Sequence, residues 1–454
     1  MDIKMILNEQ RTYFLSGNTR SYAFRKEALK KLKNAIKNNE ELLMEALLLD
    51  LNKPKSEAYF CEIGIIYDEI NYHLRHLKKW MKNKKVRTPI VQFKSKSFIS
   101  PEPYGVVLIM APWNYPVQLC FSPLIGAISA GNCAIVKPSK YAPNVSSIVA
   151  KIIKETFLSE YICVVEGGRE ENKALLEQKF DYIFFTGSVN VGKVVMESAS
   201  KHLTPISLEL GGKSPAIVHE SCDILVAARR IIFGKVLNAG QTCVAPDYVF
   251  IQKSIKEEFI KCCKQVLKEF FPNNDLSDFP HIINDKHFNR LLGLIENEKI
   301  LVGGNFDRNI RLIEPTILDD ITFKSKIMQE EIFGPIIPLL EYEDITTCID
   351  YIRSNPKPLA FYLFTKDKNV EKKFLDTCSF GGGCINDTIV HIATSKMGFG
   401  GVGESGMGSY HGKFSFDTFT HYRSMIKKAY FIDLPMRYRP YKAKKDRIIR
   451  KFMK

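Results

Sequence analysis

Between Tyr104 and about Asp387, short apolar runs rich in β-branched residues alternate with helical stretches, and this alternation constrains the fold more than any other feature. Residues 106–110, 134–137, 162–166 and 182–186 read as strands, with a helix over 117–130 between the first two. These runs are apolar at nearly every position, so both faces are buried, as in a parallel sheet covered by helices on each side. A second block, from Pro215 to about Asp387, repeats the texture with strands at 248–252, 335–340, 359–365 and 383–386. It includes a helix opened by the capping box Ser254-Ile255-Lys256-Glu257. Residues 1–80 read as helices, because Leu29, Leu32, Ile36, Leu42, Leu43, Ala46 and Leu47 recur near a 3.6 period. Residues 405–420, Gly-rich and then aromatic, read as irregular. The 454 residues suffice for two or three domains. The expected fold class is α/β, with two α/β domains and a shared basic appendage.

Charge excludes some functions and leaves others open. The net +15 is unevenly spread: Arg75 to Lys96 holds nine basic and no acidic residues, and Lys427 to Lys454 holds eleven basic and two acidic. Together these segments carry +18, which leaves −3 on the other 404 residues, so the body of the protein is not basic. Only Trp80 and Phe93 interleave the first basic segment, too few for a base-stacking surface. No apolar run reaches the ~18 residues that cross a bilayer, and Met1-Asp2-Ile3-Lys4 is no secretory signal, so a cytoplasmic protein is expected. Eleven cysteines without a C-x-x-C spacing and with apolar neighbours read as buried free thiols. No metal site is expected; His73 and His76 read as a plain surface pair on a helix.

Four segments carry chemistry. The apolar strand ending in Thr186-Gly187-Ser188 leads into a helix with Gly192 near its start, a place where backbone N–H groups approach a pyrophosphate or simply turn the chain. Cys243, in Asn238-Ala239-Gly240-Gln241-Thr242-Cys243, sits in a small polar segment unlike those around the other cysteines. That setting suits an accessible thiol able to reach its thiolate form, or an ordinary buried Cys after a helix cap. Glu209, in Glu209-Leu210-Gly211-Gly212-Lys213, is a carboxylate whose apolar flank would raise its pKa towards that of a general base, or a loop glutamate paired with a lysine. Asn114, after the first strand, is an oxyanion donor or a turn asparagine.

Taken together, the order strand-Asn114, strand-Lys137, Thr-Gly-Ser-x₃-Gly, Glu209-x-Gly-Gly-Lys and Gly-Gln-x-Cys243 resembles the aldehyde dehydrogenase superfamily. The likeness continues through Glu330-Glu331-Ile332-Phe333-Gly334-Pro335 and 399–406, and covers about residues 5–440. The short N-terminal arm and residues 409–417 resemble most the class 3, fatty-aldehyde-type branch. The resemblance implies a Rossmann-type cofactor domain (1–80 and 100–208), an α/β catalytic domain (209–390), a small β oligomerisation arm (81–99 and 415–440) and a basic tail (441–454). It also implies an NAD(P)-dependent oxidation of an aliphatic, medium- or long-chain aldehyde by a homodimer that binds no nucleic acid. By similarity Cys243 is the nucleophile, Asn114 an oxyanion donor and Glu209 the activator of the hydrolytic water. Lys137, Gly187, Ser188, Gly192, Leu210, Gly211, Glu331 and Phe333 would contact the cofactor.

One position departs from the pattern. Many relatives read Lys-Pro-Ser-Glu where this chain reads Lys137-Pro138-Ser139-Lys140, and an ammonium pairs with a 2′-phosphate rather than accepting from ribose hydroxyls. NADP is therefore expected to be accepted and even preferred; the alternative reading is that Lys140 points into solvent and the enzyme uses either cofactor. The rival readings are a CoA-acylating or acyl-phosphate-reducing relative, which as a rule lacks the Glu209 equivalent, and a nucleic-acid-binding scaffold on an inactive fold. At the tail, Ile448, Ile449, Phe452 and Met453 would share one helical face among cations, which leaves two readings: a solvated end, or an interfacial helix on an anionic membrane.

Overall fold

The first alternating block forms a parallel sheet in the computed structural model, which describes residues 2–433, 437–440 and 443–452. Strands Val106–Met110, Cys133–Lys137, Ile162–Val164, Tyr182–Thr186 and Ile206–Glu209 lie in the spatial order 206–209, 182–186, 106–110, 133–137, 162–164. All five run parallel, and Gly406–Met407 adds an antiparallel edge beside Ile206–Glu209. Every side chain of Val106–Met110 and Tyr182–Thr186 is buried, each large apolar one contributing about 1.5–3 kcal/mol. Strand order reverses between these two, which opens a crevice at their carboxyl ends. Helix Gln118–Ala130 is buried on all sides and stops at Gly131 (φ 92°), where a Cβ would lie 2.4 Å from the Arg25 guanidinium.

The second block forms a seven-stranded sheet ordered Lys299–Val302, Thr316–Asp319, Ile336–Tyr342, Tyr248–Gln252, Pro215–Val218, Ala360–Phe364, Gly382–Ile385. All neighbours are parallel except the first pair. Ile206–Glu209 ends the first sheet just before Pro215–Val218 begins the second, so residues 210–214 join the carboxyl edge of one to the amino edge of the other. A third sheet of Lys84–Val86, Ser95–Pro103 and Thr420–Lys428 carries much of the basic charge, and residues His421 to Lys427 are exposed along it. Lys427 stands opposite Lys96 there, and Arg423 pairs with Glu102 at 3.1 Å.

Some local expectations are corrected. Residues 405–420 are not irregular throughout: they contain the strand Gly406–Met407 and a helix, Lys413–Thr418, whose Ser415 and neighbouring Phe419 close over Gly126. The capping box does not form. The helix starts at Lys256 after a 3₁₀ turn, and the Ser254 hydroxyl donates to Glu220 at 2.8 Å instead. His73 is not on the surface. It is fully buried, 2.6 Å from the Ser129 hydroxyl and 3.2 Å from Glu69, because its helix packs that face against Gln118–Ala130. Among the described residues no His, Cys, Asp or Glu cluster is arranged to hold a metal, and no helix is long and apolar enough to cross a membrane. Ala443–Phe452 is a helix with Ile448 and Ile449 half-buried among exposed cations; the Phe452 side chain and Met453 lie outside the described residues.

Candidate active site

Cys243 is presented by a strained turn. After helix Ile224–Val236 the chain passes through three consecutive left-handed residues, Asn238 (φ 51°), Ala239 (φ 50°) and Gly240 (φ 70°). Non-glycine residues there cost about 1–3 kcal/mol each, so the surroundings must impose the shape. They do so with hydrogen bonds: Asn238 N–H donates to Glu57 at 2.8 Å and Asn238 Nδ2 to the Asn114 carbonyl at 2.8 Å. A Cβ on Gly240 would lie 2.3 Å from the Gly334 carbonyl, so only glycine fits. Gln241 is locked from both ends, donating to the His281 carbonyl and accepting from Ile283 N–H, each at 3.0 Å. The residues flanking the thiol are held as well, Thr242 by the Tyr115 hydroxyl at 2.6 Å and the Val244 carbonyl by Tyr362 at 2.5 Å.

Asn114 is buried, and its Nδ2 donates to the Gln241 carbonyl at 3.0 Å, two residues before the thiol. An amide nitrogen has two hydrogens, so one remains for a ligand. Behind it lies an ion pair that sequence reasoning missed. Lys53 and Glu62, both fully buried, meet at 2.5 Å; Lys53 also donates to the Asn114 carbonyl at 3.2 Å, and Glu62 accepts from Val117 N–H at 2.8 Å. Lys53 follows a helix end and precedes Pro54, which gives no sign that it points inwards.

Glu209 ends its strand with the backbone pinned, its carbonyl accepting from Gly187 N–H at 3.0 Å and the next amide donating to the Ser405 carbonyl at 3.1 Å. Its side chain is buried, and neither oxygen has a hydrogen-bond partner among the described residues. Burial lifts its pKa well above the usual carboxylate value. The lysine of its motif does not pair with it, since Lys213 binds Asp247. The Cys243 thiol is pushed up to about 12, first by burial and then by the charges of Glu331 and Glu209. The thiol is half-buried, and that burial disfavours its thiolate form.

The remaining predicted residues line the strand ends. Lys137 is buried at the end of its strand, donating to the carbonyls of Pro138 and Gly167 at 2.7 Å, with a third hydrogen left over. Lys140 is exposed, and its chain lies on the same loop, 2.9 Å from where a Gly168 Cβ would stand. Gly187 and Ser188 lead into helix Val189–Ser200, whose first N–H groups receive no side-chain cap. Gly192 makes room for Leu210, and Gly211 for the Glu331 carboxylate, which would lie 2.1 Å from a Cβ. Glu331 is pushed up to about 8, mainly by burial. Phe333 (φ 51°) meets Trp113 edge-on, ring centres 5.4 Å apart. The site thus gathers loops from the carboxyl edge of the first sheet and the amino edge of the second.

The model of the aldehyde dehydrogenase family matches residues 1–425. The 4,4'-diaponeurosporen-aldehyde dehydrogenase of Staphylococcus aureus is 51% identical over 440 residues, 96% of either chain. Aldehyde dehydrogenase family 3 member A2 of Macaca fascicularis is 43% identical over 421 residues, 92% of this chain and 87% of that one. Among solved structures, the substrate-bound state of Staphylococcus aureus AldH superposes with a TM-score of 0.98 at 49% identity, covering 100% of both chains. The chain belongs to the aldehyde dehydrogenase family, in its class 3 branch, and is an NAD(P)-dependent aldehyde dehydrogenase.

Proposed function

We propose that this enzyme oxidises an aliphatic, medium- or long-chain aldehyde to the carboxylic acid through covalent catalysis at Cys243. The sulfur, once deprotonated, adds to the carbonyl carbon, and the resulting oxyanion accepts from the free Asn114 Nδ2 hydrogen and the Cys243 N–H. Bound against the strand ends, NAD(P) would supply the hydride acceptor for this carbon, and loss of the hydride would turn the adduct into a thioester. Glu209 takes a proton from a water that attacks the thioester carbonyl; the C–S bond breaks and the acid departs. The observation that carries this reading is the buried, unpartnered Glu209 carboxyl beside a thiol held on a rigid left-handed turn.

The residues at the strand ends fit the cofactor: an uncapped helix start for a pyrophosphate, spare donors on Lys137, and the Glu331 carboxylate as acceptor for ribose hydroxyls. Leu210, Gly211 and Phe333 would flank the nicotinamide. Lys140, beside Lys137 on the 167–168 loop, favours acceptance of NADP as well as NAD. The cofactor domain comprises 1–80 and 100–208, the catalytic domain 209–390, and the three-stranded arm, with Tyr422, Met425 and Ile426 exposed, joins two copies as a homodimer. The enzyme works in the cytoplasm, and its basic tail helix supports peripheral contact with an anionic membrane.

A panel of aldehydes assayed with NAD and NADP tests the reading, with Cys243→Ala as blank and 4,4'-diaponeurosporen-aldehyde, the compound named for the Staphylococcus relative, included. Medium- and long-chain aliphatic aldehydes are expected to give acid. Acyl-CoA or acyl phosphate formed on adding CoA or phosphate would overturn the hydrolytic step.

A further inference from the structure

The loop that carries Glu331 and Phe333 is held by side chains from elsewhere. Beyond the single turn Lys326–Met328 it has no regular structure until Ile336–Tyr342 begins. Lys213 Nζ donates to the carbonyls of Ile327 at 3.0 Å and Glu330 at 2.9 Å, and to the carboxylate of Asp247. The other Asp247 oxygen accepts from Ile332 N–H at 2.8 Å, and the Asp247 N–H donates to the Ser214 carbonyl at 2.8 Å. Arg290 completes the clamp, donating to the Glu331 carbonyl at 3.2 Å and the Ile332 carbonyl at 2.6 Å. Lys213 thereby uses all three ammonium hydrogens, and Asp247 is nearly solvent-free, conditions in which charge-assisted bonds hold geometry well.

The same short segment touches Glu331 from both ends. Gly211 and Gly212 give the carboxylate its seat, with the Gly212 N–H bonded to it, while Lys213 holds the carbonyl just before Glu331. A second buried cation, Lys235, feels Asp247 but has no hydrogen-bond partner among the described residues, so it cannot supply the donors to Ile327 and Glu330.

We infer that Lys213, with Asp247, is a positioning residue for Glu331: it fixes where that carboxylate stands over Gly211 and Gly212, and so how tightly the cofactor ribose is held. The inference rests on the proposed role of Glu331 as a ribose ligand. It gives the lysine of the Glu-x-Gly-Gly-Lys motif a task that the reaction itself leaves unassigned.

The test measures the Kd of NAD and NADP by quenching of intrinsic fluorescence, to which Trp113 beside Phe333 is well placed to respond. Lys213→Met is expected to raise Kd about tenfold, the worth of one charge-assisted hydrogen bond. The cofactor KM should rise in parallel, with aldehyde KM and the rate of Cys243 alkylation without cofactor unchanged. Lys213→Arg, which still donates to carbonyls and carboxylate, should recover most of the affinity. Glu331→Gln should weaken binding to a similar degree, and the double variant no further. An unchanged Kd in Glu331→Gln overturns the ribose-ligand reading and this inference with it. Weakening in Glu331→Gln but not in Lys213→Met overturns this inference alone, as do fully additive losses. Should Lys213→Met fail to fold, Asp247→Asn removes the charge holding Lys213 while keeping an acceptor for Ile332, and an unchanged Kd there counts against the inference equally.

Discussion

On the Asn114 side of the site the buried polar groups named above have partners, save Asn238 Oδ1, which has none among the described residues. Lys53 meets Glu62, Glu62 caps Val117, and Asn114 and Asn238 bond each other and Gln241. On the Glu209 side the opposite holds: the backbone is pinned by Gly187 and Leu210, yet both carboxyl oxygens stand unpartnered. An oxyanion donor stabilises charge best when it need not reorganise, so a matched network suits it. A group that must gain and lose a proton near neutral pH is better left without fixed donors, which would lock it in the charged form. On the proposed mechanism, the contrast divides the site into a wall that holds and a group that reacts.

The largest expected effect breaks the reacting half. Glu209→Gln keeps the shape and removes the proton acceptor, so steady-state turnover should fall by roughly 10²–10⁴-fold while a stoichiometric burst of reduced cofactor survives in rapid-quench kinetics. Full turnover without a burst phase would remove Glu209 from the hydrolytic step. Lys53→Met strands Glu62 as a buried charge on the holding side and should cost about 3–5 kcal/mol in chemical denaturation, most of it recovered when Glu62 is also replaced by Gln, which removes the charge and keeps an acceptor for Val117 N–H. Little loss in the single variant would mean that the pair is not needed to hold the wall.

Asn114→Ala should lower kcat by roughly 10²–10³-fold, the worth of one oxyanion donor, with alkylation of Cys243 altered only a few-fold. Equal losses in both would assign Asn114 to thiol placement. The smallest effect concerns pH. With the thiol pushed up to about 12, it is mainly protonated at neutral pH and loses its proton as pH increases. Iodoacetamide alkylation of the cofactor-free enzyme should therefore rise about tenfold per pH unit between roughly 7 and 9. A plateau in that window would show a thiolate already formed.

Much of the fold was legible in sequence because strands buried on both faces are apolar at nearly every position, as Val106–Met110 and Tyr182–Thr186 are. The site residues were legible for a different reason: Glu209 and Cys243 stand in small, Gly-containing segments, where backbone must come close to something. The failures share a cause. Ser254 had the spacing of a cap but found Glu220, and His73 had the look of a surface pair but faces Ser129 and Glu69. In each case a partner far away in the chain outcompeted the local pattern.

The sequence by itself determined the alternation of strands and helices, the family and the identities of the candidate reacting groups, since periodicity and short motifs are local properties of the chain. Only the tertiary structure decided the states of those groups. Glu209 stays unpartnered and Cys243 protonated because residues up to hundreds of positions apart enclose them, and Lys53 becomes a buried cation because Glu62 and the Asn114 carbonyl meet it. Desolvation and hydrogen bonding depend on what is near in space, and no local reading of this chain contains that information.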